Sequence, residues 1–231
     1  MKRLIEIDAL RGIAVLCMII FHIGVNGNML GYWAFDTYGW PLILFMRVGQ
    51  FLFLGLVGVS VFLSSRGFKG QLVRGAKIFG CGLLVTFGTY LVFPETYVRF
   101  GVLHLIAVSV PVVALFKGKE FLALLGAGVF FGVSFLLPLL DFHSVWTLPL
   151  GLPPQPFASL DYFPIFPWMS APLFGLWIGS KLYEERKETA LVAFAKVPGV
   201  LWLGRHSLAV YLLHQPILYF SLWGLSHWIN S

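Results

Sequence analysis

Three ionisable side chains near the start of the chain could do chemistry together. Asp8, Arg11 and His22 lie at the entrance to, and within, a long apolar run. At about 100° and 1.5 Å per residue, the steps from Arg11 to His22 return to within about 20° of one helix face and cover roughly 16 Å. An arginine suits a phosphate-bearing group, and an imidazole can take a proton from an amine or alcohol near neutral pH. Asp8 is close enough to Arg11 for an ion pair.

Other apolar stretches also contain ionisable residues. A charge at bilayer depth is costly unless it is paired or hydrated, so each such residue is a candidate functional residue. The candidates are Arg47, Arg99, His104, Asp161 and His214, with Arg205 and His206 at the start of the last apolar stretch.

Structural roles remain open alternatives for these residues. His22, His104 and His214 could be hydrogen-bonded packing residues. Arg47 could extend its side chain to the lipid headgroups. Asp8 and Arg11 could anchor a helix end at the interface. Arg205 and His206 could simply follow the rule that short cytoplasmic loops are basic.

The elements that must position these side chains are membrane-spanning helices. Of the 231 residues, 58% are hydrophobic and 11% charged, which is too apolar for an ordinary soluble domain. A hydrocarbon core of roughly 30 Å takes about 20 apolar residues in a helix. Cutting the chain at its charges and prolines predicts seven spans, at residues 9–27, 40–64, 75–92, 101–116, 121–140, 163–182 and 206–228. The fourth could begin earlier, near Tyr97, and Asp161, Pro164 and Pro167 predict an irregular start to the sixth.

The distribution of Lys and Arg predicts the orientation of these spans. If seven spans alternate, the loops on the N-terminal side hold nearly all the basic residues, whereas Arg99 is the only one in the opposite loops. The rule that cytoplasmic loops are basic then predicts an N-terminus inside and a C-terminus outside. The inner basic residues are Lys2, Arg3, Arg66, Lys69, Arg74, Lys77, Lys117, Lys119, Lys181, Arg186, Lys187 and Lys196. A surface helix is expected at residues 184–197.

Composition also excludes several classes of protein. The sequence pI of about 9.4 does not indicate nucleic-acid binding, because the basic residues fall between apolar stretches and form no basic-aromatic face. Cys17 and Cys81 lie in apolar stretches and indicate neither a disulfide framework nor a zinc site, and the scattered histidines predict no metal. One transmembrane domain over residues 1–231, multi-pass in the cell membrane, is the simplest organisation.

Short motifs are distributed from the first predicted span to the last. They are Ile7-Asp8-Ala9-Leu10-Arg11-Gly12-Ile13-Ala14, Phe21-His22, Phe51-Leu52-Phe53-Leu54-Gly55, Val57-Gly58-Val59-Ser60, Arg99-Phe100-Gly101-Val102-Leu103-His104-Leu105-Ile106, Asp161-Tyr162-Phe163-Pro164-Ile165-Phe166-Pro167-Trp168, Gly204-Arg205-His206-Ser207-Leu208 and Tyr211-Leu212-Leu213-His214-Gln215-Pro216. These motifs resemble those of a known family, the bacterial relatives of heparan-alpha-glucosaminide N-acetyltransferase, and their combination is more specific than any one of them. A wider similarity links Arg11 and His22 to the arginine and histidine on an early helix of membrane acyltransferases that modify sugars.

The resemblance implies transfer of an acyl group, typically acetyl, from cytoplasmic acetyl-CoA to a sugar amine or hydroxyl at the outer face. The catalytic residues would be His22, as the catalytic histidine, with Arg11 and Asp8, and Arg11 would lie near the donor entrance. The donor-binding residues would be Arg11, Arg74, Lys77, Arg205 and His206. The acceptor-binding residues would be Arg47, Arg99, His104, Asp161 and His214. Self-association into a homo-oligomer is left open.

Two questions of mechanism and class also stay open at this point. His22 could act as a general base or accept the acyl group itself, and His214 and Asp161 are candidates to orient it or relay the proton. A small-molecule or proton-coupled transporter would use the same buried residues to bind a substrate at mid-depth. No matching pair of interrupted helices in two halves of the chain supports a transporter. A purely structural membrane subunit would leave the intramembrane charges unexplained.

Overall fold

The computed structural model describes residues 4–34, 36–37, 39–183 and 197–230. Within these ranges the chain is helical, and the one isolated β-bridge joins Phe100 and Tyr162. Two short 3₁₀ helices, Leu137–Leu139 and Leu148–Leu150, lie between the fifth and sixth α-helices. The α-helices are α1 (Ile5–Met29), α2 (Leu42–Leu63), α3 (Phe68–Val92), α4 (Val102–Ala114), α5 (Glu120–Val133), α6 (Ile165–Trp168), α7 (Ser170–Tyr183), α8 (Pro198–Arg205) and α9 (Ser207–Asn230).

Five helical stretches in the described ranges are long and apolar enough to cross a membrane. They are Ile5–Met29, Leu42–Leu63, Phe68–Val92, Glu120–Leu139 and Ser207–Trp228. The 13 residues of α4 and the 14 of α7 are shorter than the roughly 20 that a full crossing needs. The predicted all-helical membrane protein is therefore confirmed, whereas the count of seven spans and the orientation stay predictions.

Helix boundaries differ from the predicted spans where polar groups are accommodated locally. Helix α3 begins at Phe68, seven residues before the predicted start, because its lysines and arginine lie inside the helix rather than before it. Long basic side chains can extend from a helix end towards water, so they need not end the helix. Helix α4 begins at Val102 and not near Tyr97, because Gly101 has extended backbone and precedes the first helical turn.

The predicted sixth span is divided, as its prolines indicated. The short helix α6 ends at Trp168, and α7 begins at Ser170. Within α6, Phe166 has φ −96° and ψ 124°, which is outside the helical region. The residue before a proline is pushed towards extended backbone, so Pro167 accounts for the interruption.

Helix α8 was not predicted as a separate element. It packs on the start of α1 through two glycines, where a Cβ on Gly12 would lie 2.0 Å from the carbonyl oxygen of Val200. A Cβ on Gly204 would lie 1.7 Å from the carbonyl oxygen of Asp8. Glycine is thus required for the close approach of the two backbones. The predicted surface helix at 184–197 lies outside the described residues except for Val197, as do Lys2, Arg3, Arg186, Lys187 and Lys196.

The chain forms two compact units, and the division falls within α2. The first unit comprises the described parts of Met1–Phe53 and Glu188–Ser231, and the second unit is the described part of Leu54–Lys187. In the first unit α1 packs against α8 and α9, and in the second unit α3 packs against α4 and α5 against α7. The single domain stays a prediction.

Helices α1 and α9 run in the same direction. The Tyr32 hydroxyl, just beyond α1, donates to the carbonyl oxygen of Leu222 at 2.7 Å. Earlier in both helices, His22 contacts His214. The contacting residues therefore rise in number together along α1 and α9, which makes the two helices parallel. Two parallel spans require an odd number of crossings between them.

Candidate functional site

The start of α1 carries a buried carboxylate that lies beside two arginines. Asp8 is 2% exposed, and its Oδ1 accepts a hydrogen bond from Nη1 of Arg11 at 3.1 Å. Its Oδ2 lies 3.6 Å from Nε of Arg205, the last residue of α8. The predicted ion pair of Asp8 with Arg11 is therefore confirmed, and Arg205 joins it. We call these three residues the Asp8 cluster.

Further along α1, two histidines from different helices meet. Nδ1 of His22 lies 3.2 Å from Nε2 of His214 on α9, and the ring centroids are 4.9 Å apart. Nδ1 of His22 also lies 2.9 Å from the carbonyl oxygen of Met18. Nδ1 of His214 lies 2.7 Å from the carbonyl oxygen of Tyr211 and 3.1 Å from that of Val210. We call His22 and His214 the histidine pair.

The carbonyl partners assign the tautomers of the histidine pair. A carbonyl oxygen only accepts, so His214 must carry its proton on Nδ1, which leaves Nε2 as an acceptor. His22 then donates its Nδ1 proton to His214 and to the carbonyl oxygen of Met18. The lone pair of His22 is consequently on Nε2, for which no described group provides a hydrogen bond. A fixed tautomer with an unused Nε2 lone pair is what a general base or a nucleophile requires.

One helical turn beyond His22, two amide side chains meet. Nε2 of Gln215 donates to Oδ1 of Asn26 at 3.0 Å. Asn26 is fully buried, and its Nδ2 has no hydrogen-bond partner in the described structure. Oε1 of Gln215 is likewise buried without a partner. We call Asn26 and Gln215 the amide pair.

Two other predicted residues of the first unit lie elsewhere. Nδ1 of His206 is 2.9 Å from the carbonyl oxygen of Trp202, and its ring is tilted against the indole of that residue, with centroids 4.8 Å apart. Arg47 is exposed on α2 and donates to Oε1 of Gln50 on its own helix at 3.3 Å. Neither contact brings these side chains to the histidine pair.

In the second unit, His104 is enclosed by its neighbours. It is 3% exposed, its ring stacks on Phe100 and it lies edge-on to Phe79, with centroids 5.7 and 5.2 Å away. Three ring atoms would lie 3.1 to 3.2 Å from a Cβ added to Gly82. Nδ1 of His104 accepts a hydrogen bond from the backbone N–H of Gly101 at 3.3 Å. These contacts fit the packing alternative for His104.

Asp161 and Arg99 organise the loops at the start of α4. Oδ2 of Asp161 accepts a hydrogen bond from the backbone N–H of Val102 at 2.9 Å, which supplies a partner and a negative charge at the helix N-terminus. The guanidinium of Arg99 lies over the rings of Tyr97 and Phe157, at 4.8 and 5.3 Å. The structure thus gives both residues structural contacts and leaves their predicted acceptor role untested.

Tyr162, beside Asp161, is also held in place. Its hydroxyl donates to the carbonyl oxygen of Leu148 at 2.7 Å, and burial raises its pKa to about 12.

The remaining predicted donor-binding residues lie on α3, where Arg74 is half-buried and Lys77 is exposed. Their roles stay predictions.

Asn26 and Gln215 were not among the residues predicted to be functional. A signal was present, because Asn26 follows His22 by four residues and therefore shares its helix face, and Gln215 adjoins His214. What the sequence lacked was the pairing of α1 with α9.

Comparison with known proteins supports the resemblance. Residues 3–216 match the family model described as heparan-alpha-glucosaminide N-acetyltransferase, catalytic. No curated protein and no solved structure matches the chain. The match covers nearly the whole chain and includes the Asp8 cluster, the histidine pair and the amide pair.

Proposed function

Because the chain belongs to the heparan-alpha-glucosaminide N-acetyltransferase catalytic family, we propose that it is a multi-pass enzyme of the cell membrane that transfers acetyl groups. The donor is cytoplasmic acetyl-CoA, and the acceptor is a sugar amine or hydroxyl at the outer face. The orientation in this proposal is the one predicted from the basic inner loops, with the start of α1 inside.

The observation that carries the proposal is the histidine pair. His22 lies about 25 Å along α1 from Ile5, so it sits in the outer half of a core of roughly 30 Å. Its Nδ1 proton is held by His214 and Met18, and its Nε2 lone pair is unused. When Nε2 takes a proton, the positive charge that forms is stabilised by the acceptor nitrogen of His214.

The reaction balances with His22 as the proton carrier. Nε2 of His22 removes the proton of the acceptor hydroxyl or amine as its oxygen or nitrogen attacks the thioester carbonyl carbon. The carbon–sulfur bond then breaks, and the leaving thiolate receives that proton. The products are the acetylated sugar and coenzyme A with a free thiol. The same lone pair could instead accept the acetyl group first, in which case a labelled acetyl-histidine would form on the protein.

The Asp8 cluster supports a donor path along the inner part of α1. Arg11 lies roughly 16 Å along the helix before His22, a separation that the thin acyl-bearing arm of the donor could follow. Asp8 holds the side chain of Arg11 and pairs with Arg205, so it positions these cations. Arg74, Lys77 and His206 remain predicted contributors to donor binding, and Arg47, Arg99 and Asp161 to acceptor binding, whereas the contacts of His104 fit its packing alternative.

The test uses the purified protein in proteoliposomes supplied with acetyl-CoA. We expect release of the coenzyme A thiol and transfer of labelled acetyl to a glycan fraction. His22→Ala should reduce the rate by about 10² to 10⁴, the usual contribution of a general base. His22→Gln keeps a donor for the carbonyl oxygen of Met18 but supplies no base, and it should lose as much.

The matched control is Ile23→Ala, which changes the neighbouring, lipid-exposed side chain of the same helix. This variant should keep the wild-type rate and melting temperature. Flux of a solute across the vesicle with no thioester consumption would establish the transporter instead. Full thiol release by both His22 variants would remove His22 from the mechanism.

A further inference from the structure

The amide pair has an unmet hydrogen-bonding capacity beside the histidine pair. Asn26 lies about 6 Å along α1 from His22, and Gln215 follows His214 directly. The one hydrogen bond between the two amides leaves Nδ2 of Asn26 and Oε1 of Gln215 buried without described partners. Buried polar groups are normally satisfied by protein, water or ligand, so a buried vacant donor beside a buried vacant acceptor indicates a binding site.

This vacancy does not depend on how the amides are oriented. If both amides were turned over, Nδ2 of Asn26 would donate to Oε1 of Gln215. Oδ1 of Asn26 and Nε2 of Gln215 would then be the vacant acceptor and donor. Either arrangement presents one N–H group and one carbonyl oxygen.

A hydroxyl is the group that complements such a pair, because it donates one hydrogen bond and accepts others. The alternative acceptor is an amine, whose protonated form is an ammonium group. An ammonium group only donates hydrogen bonds, and in a low-dielectric setting it needs a negative partner. The amide pair is uncharged. Among the described residues of the first unit the carboxylates are Glu6 and Asp8 at the start of α1 and Asp36 in the exposed loop after it. Asp8 lies about 27 Å along α1 from Asn26 and is held by two arginines.

We propose that Asn26 and Gln215 bind a hydroxyl-bearing, uncharged acceptor next to His22, so that the enzyme forms an ester and not an amide. This inference rests on the proposed function and narrows its acceptor class. The amide pair holds one hydroxyl of the acceptor, and His22 removes the proton of a neighbouring hydroxyl. The oxygen of that second hydroxyl attacks the thioester carbon, the carbon–sulfur bond breaks, and the leaving thiolate of coenzyme A takes the proton from His22. A site built to hydrogen-bond a hydroxyl discriminates against groups that leave its buried donor or acceptor unpaired.

The first experiment identifies the bond that is formed, so it does not require the acceptor to be known. Permeabilised membranes that contain the protein are incubated with acetyl-CoA labelled in the acetyl group. The glycan and glycolipid fraction is then freed of protein and of unreacted acetyl-CoA and treated with alkaline hydroxylamine, which cleaves oxygen esters and leaves amides. We expect the His22-dependent label to be released at least tenfold more than it is retained.

The second experiment changes the amide pair and supplies octyl glucoside or its 2-amino-2-deoxy analogue as the acceptor. Asn26→Asp preserves the shape and adds a carboxylate, so we expect at least a tenfold loss with the hydroxyl acceptor and a gain with the amine. Asn26→Leu should raise KM for octyl glucoside more than it lowers kcat. The exchange Asn26→Gln with Gln215→Asn keeps the pair and should recover part of the activity.

Asn28→Leu is the matched control, since it makes the same change two residues away on another face of α1. It should leave the preference for hydroxyl over amine as in the wild type. Two results would overturn the inference and leave acyl transfer intact. One is label that resists hydroxylamine, and the other is a wild-type preference for the amine acceptor that Asn26→Asp does not change. Absence of any His22-dependent label would overturn the proposed function and this inference with it.

Discussion

His22 in the first unit and His104 in the second each lie in an apolar helix, and by sequence both are candidate functional residues. In the structure, His22 directs Nδ1 to a second histidine on another helix and keeps Nε2 available. His104 instead uses Nδ1 to accept a backbone hydrogen bond at the start of its own helix, and its ring is covered by Gly82, Phe79 and Phe100.

The difference shows what separates a candidate catalytic histidine from a packing one. Both avoid the cost of an unsatisfied polar group in an apolar setting. His104 does so with local contacts that enclose the ring. The histidine pair does so through contacts between helices that occupy one nitrogen of His22 and leave the other for chemistry.

Among the variants that test this comparison, those of His214 and His104 should differ most in activity. His214→Phe removes the acceptor for the Nδ1 proton of His22 and should lower kcat/KM by about 10- to 100-fold, as loss of an orienting partner usually does. His104→Leu should leave the activity per folded molecule unchanged and lower the free energy of unfolding, because the N–H of Gly101 loses its partner. Thiol release and unfolding in detergent measure the two effects.

His214→Gln provides the conservative control for that prediction. Its side-chain oxygen can accept the proton of His22, so it should recover more activity than His214→Phe. The comparison fails if His104→Leu reduces activity per folded molecule as strongly as His214→Phe does.

The packing of α8 on α1 should give the next effect. In Gly204→Ala the new Cβ would meet the carbonyl oxygen of Asp8, so the helices must separate and Arg205 must move from Asp8. We expect a loss of about 2 kcal/mol in the free energy of unfolding. Gly199→Ala, in the same helix with open space around it, is the control and should be neutral or better. Equal stability of the two variants would show that this contact is not tight.

A smaller effect is expected for the enclosure of His104. Gly82→Ala places a Cβ about 3.1 Å from the imidazole, and we expect a loss of about 1 kcal/mol in the free energy of unfolding. Gly80→Ala changes the same helix where nothing lies within 4 Å of the added atom. Since alanine favours helix over glycine, Gly80→Ala should be stabilising. A stabilised Gly82→Ala variant would mean that the ring is not confined.

The smallest effect concerns Tyr162 at high pH. Burial raises its pKa to about 12, whereas the pKa of a tyrosine in the unfolded chain is about 10. The folded state therefore retains this proton longer, so the stabilisation is complete below pH of about 10 and is lost as the pH rises through about 12. Tyr162→Phe should make stability fall less steeply over that interval. Unfolding at several pH values, with the exposed Tyr90→Phe as control, measures the slope, and an unchanged slope would contradict the assignment.

The sequence determined much of the local structure. Runs of apolar residues without charges dictate helices, since backbone groups in lipid must be satisfied within the helix, and the five long helical stretches follow from this rule. The spacing of Asp8 and Arg11 predicted their ion pair, and Pro167 predicted the interruption before α7. Hydropathy could not reveal α8, because its eight residues lie between a basic segment and a span and are set by contact with α1.

Only the tertiary structure decided which polar residues meet. Arg205 could equally have been a surface charge, and it became a partner of Asp8 because two glycines let α8 approach α1. His22 and His214 are far apart in the chain, so no helical period relates them, and the same is true of Asn26 and Gln215. Pairing between distant helices depends on which faces pack together, and that information lies in the sum of many weak contacts rather than in any motif.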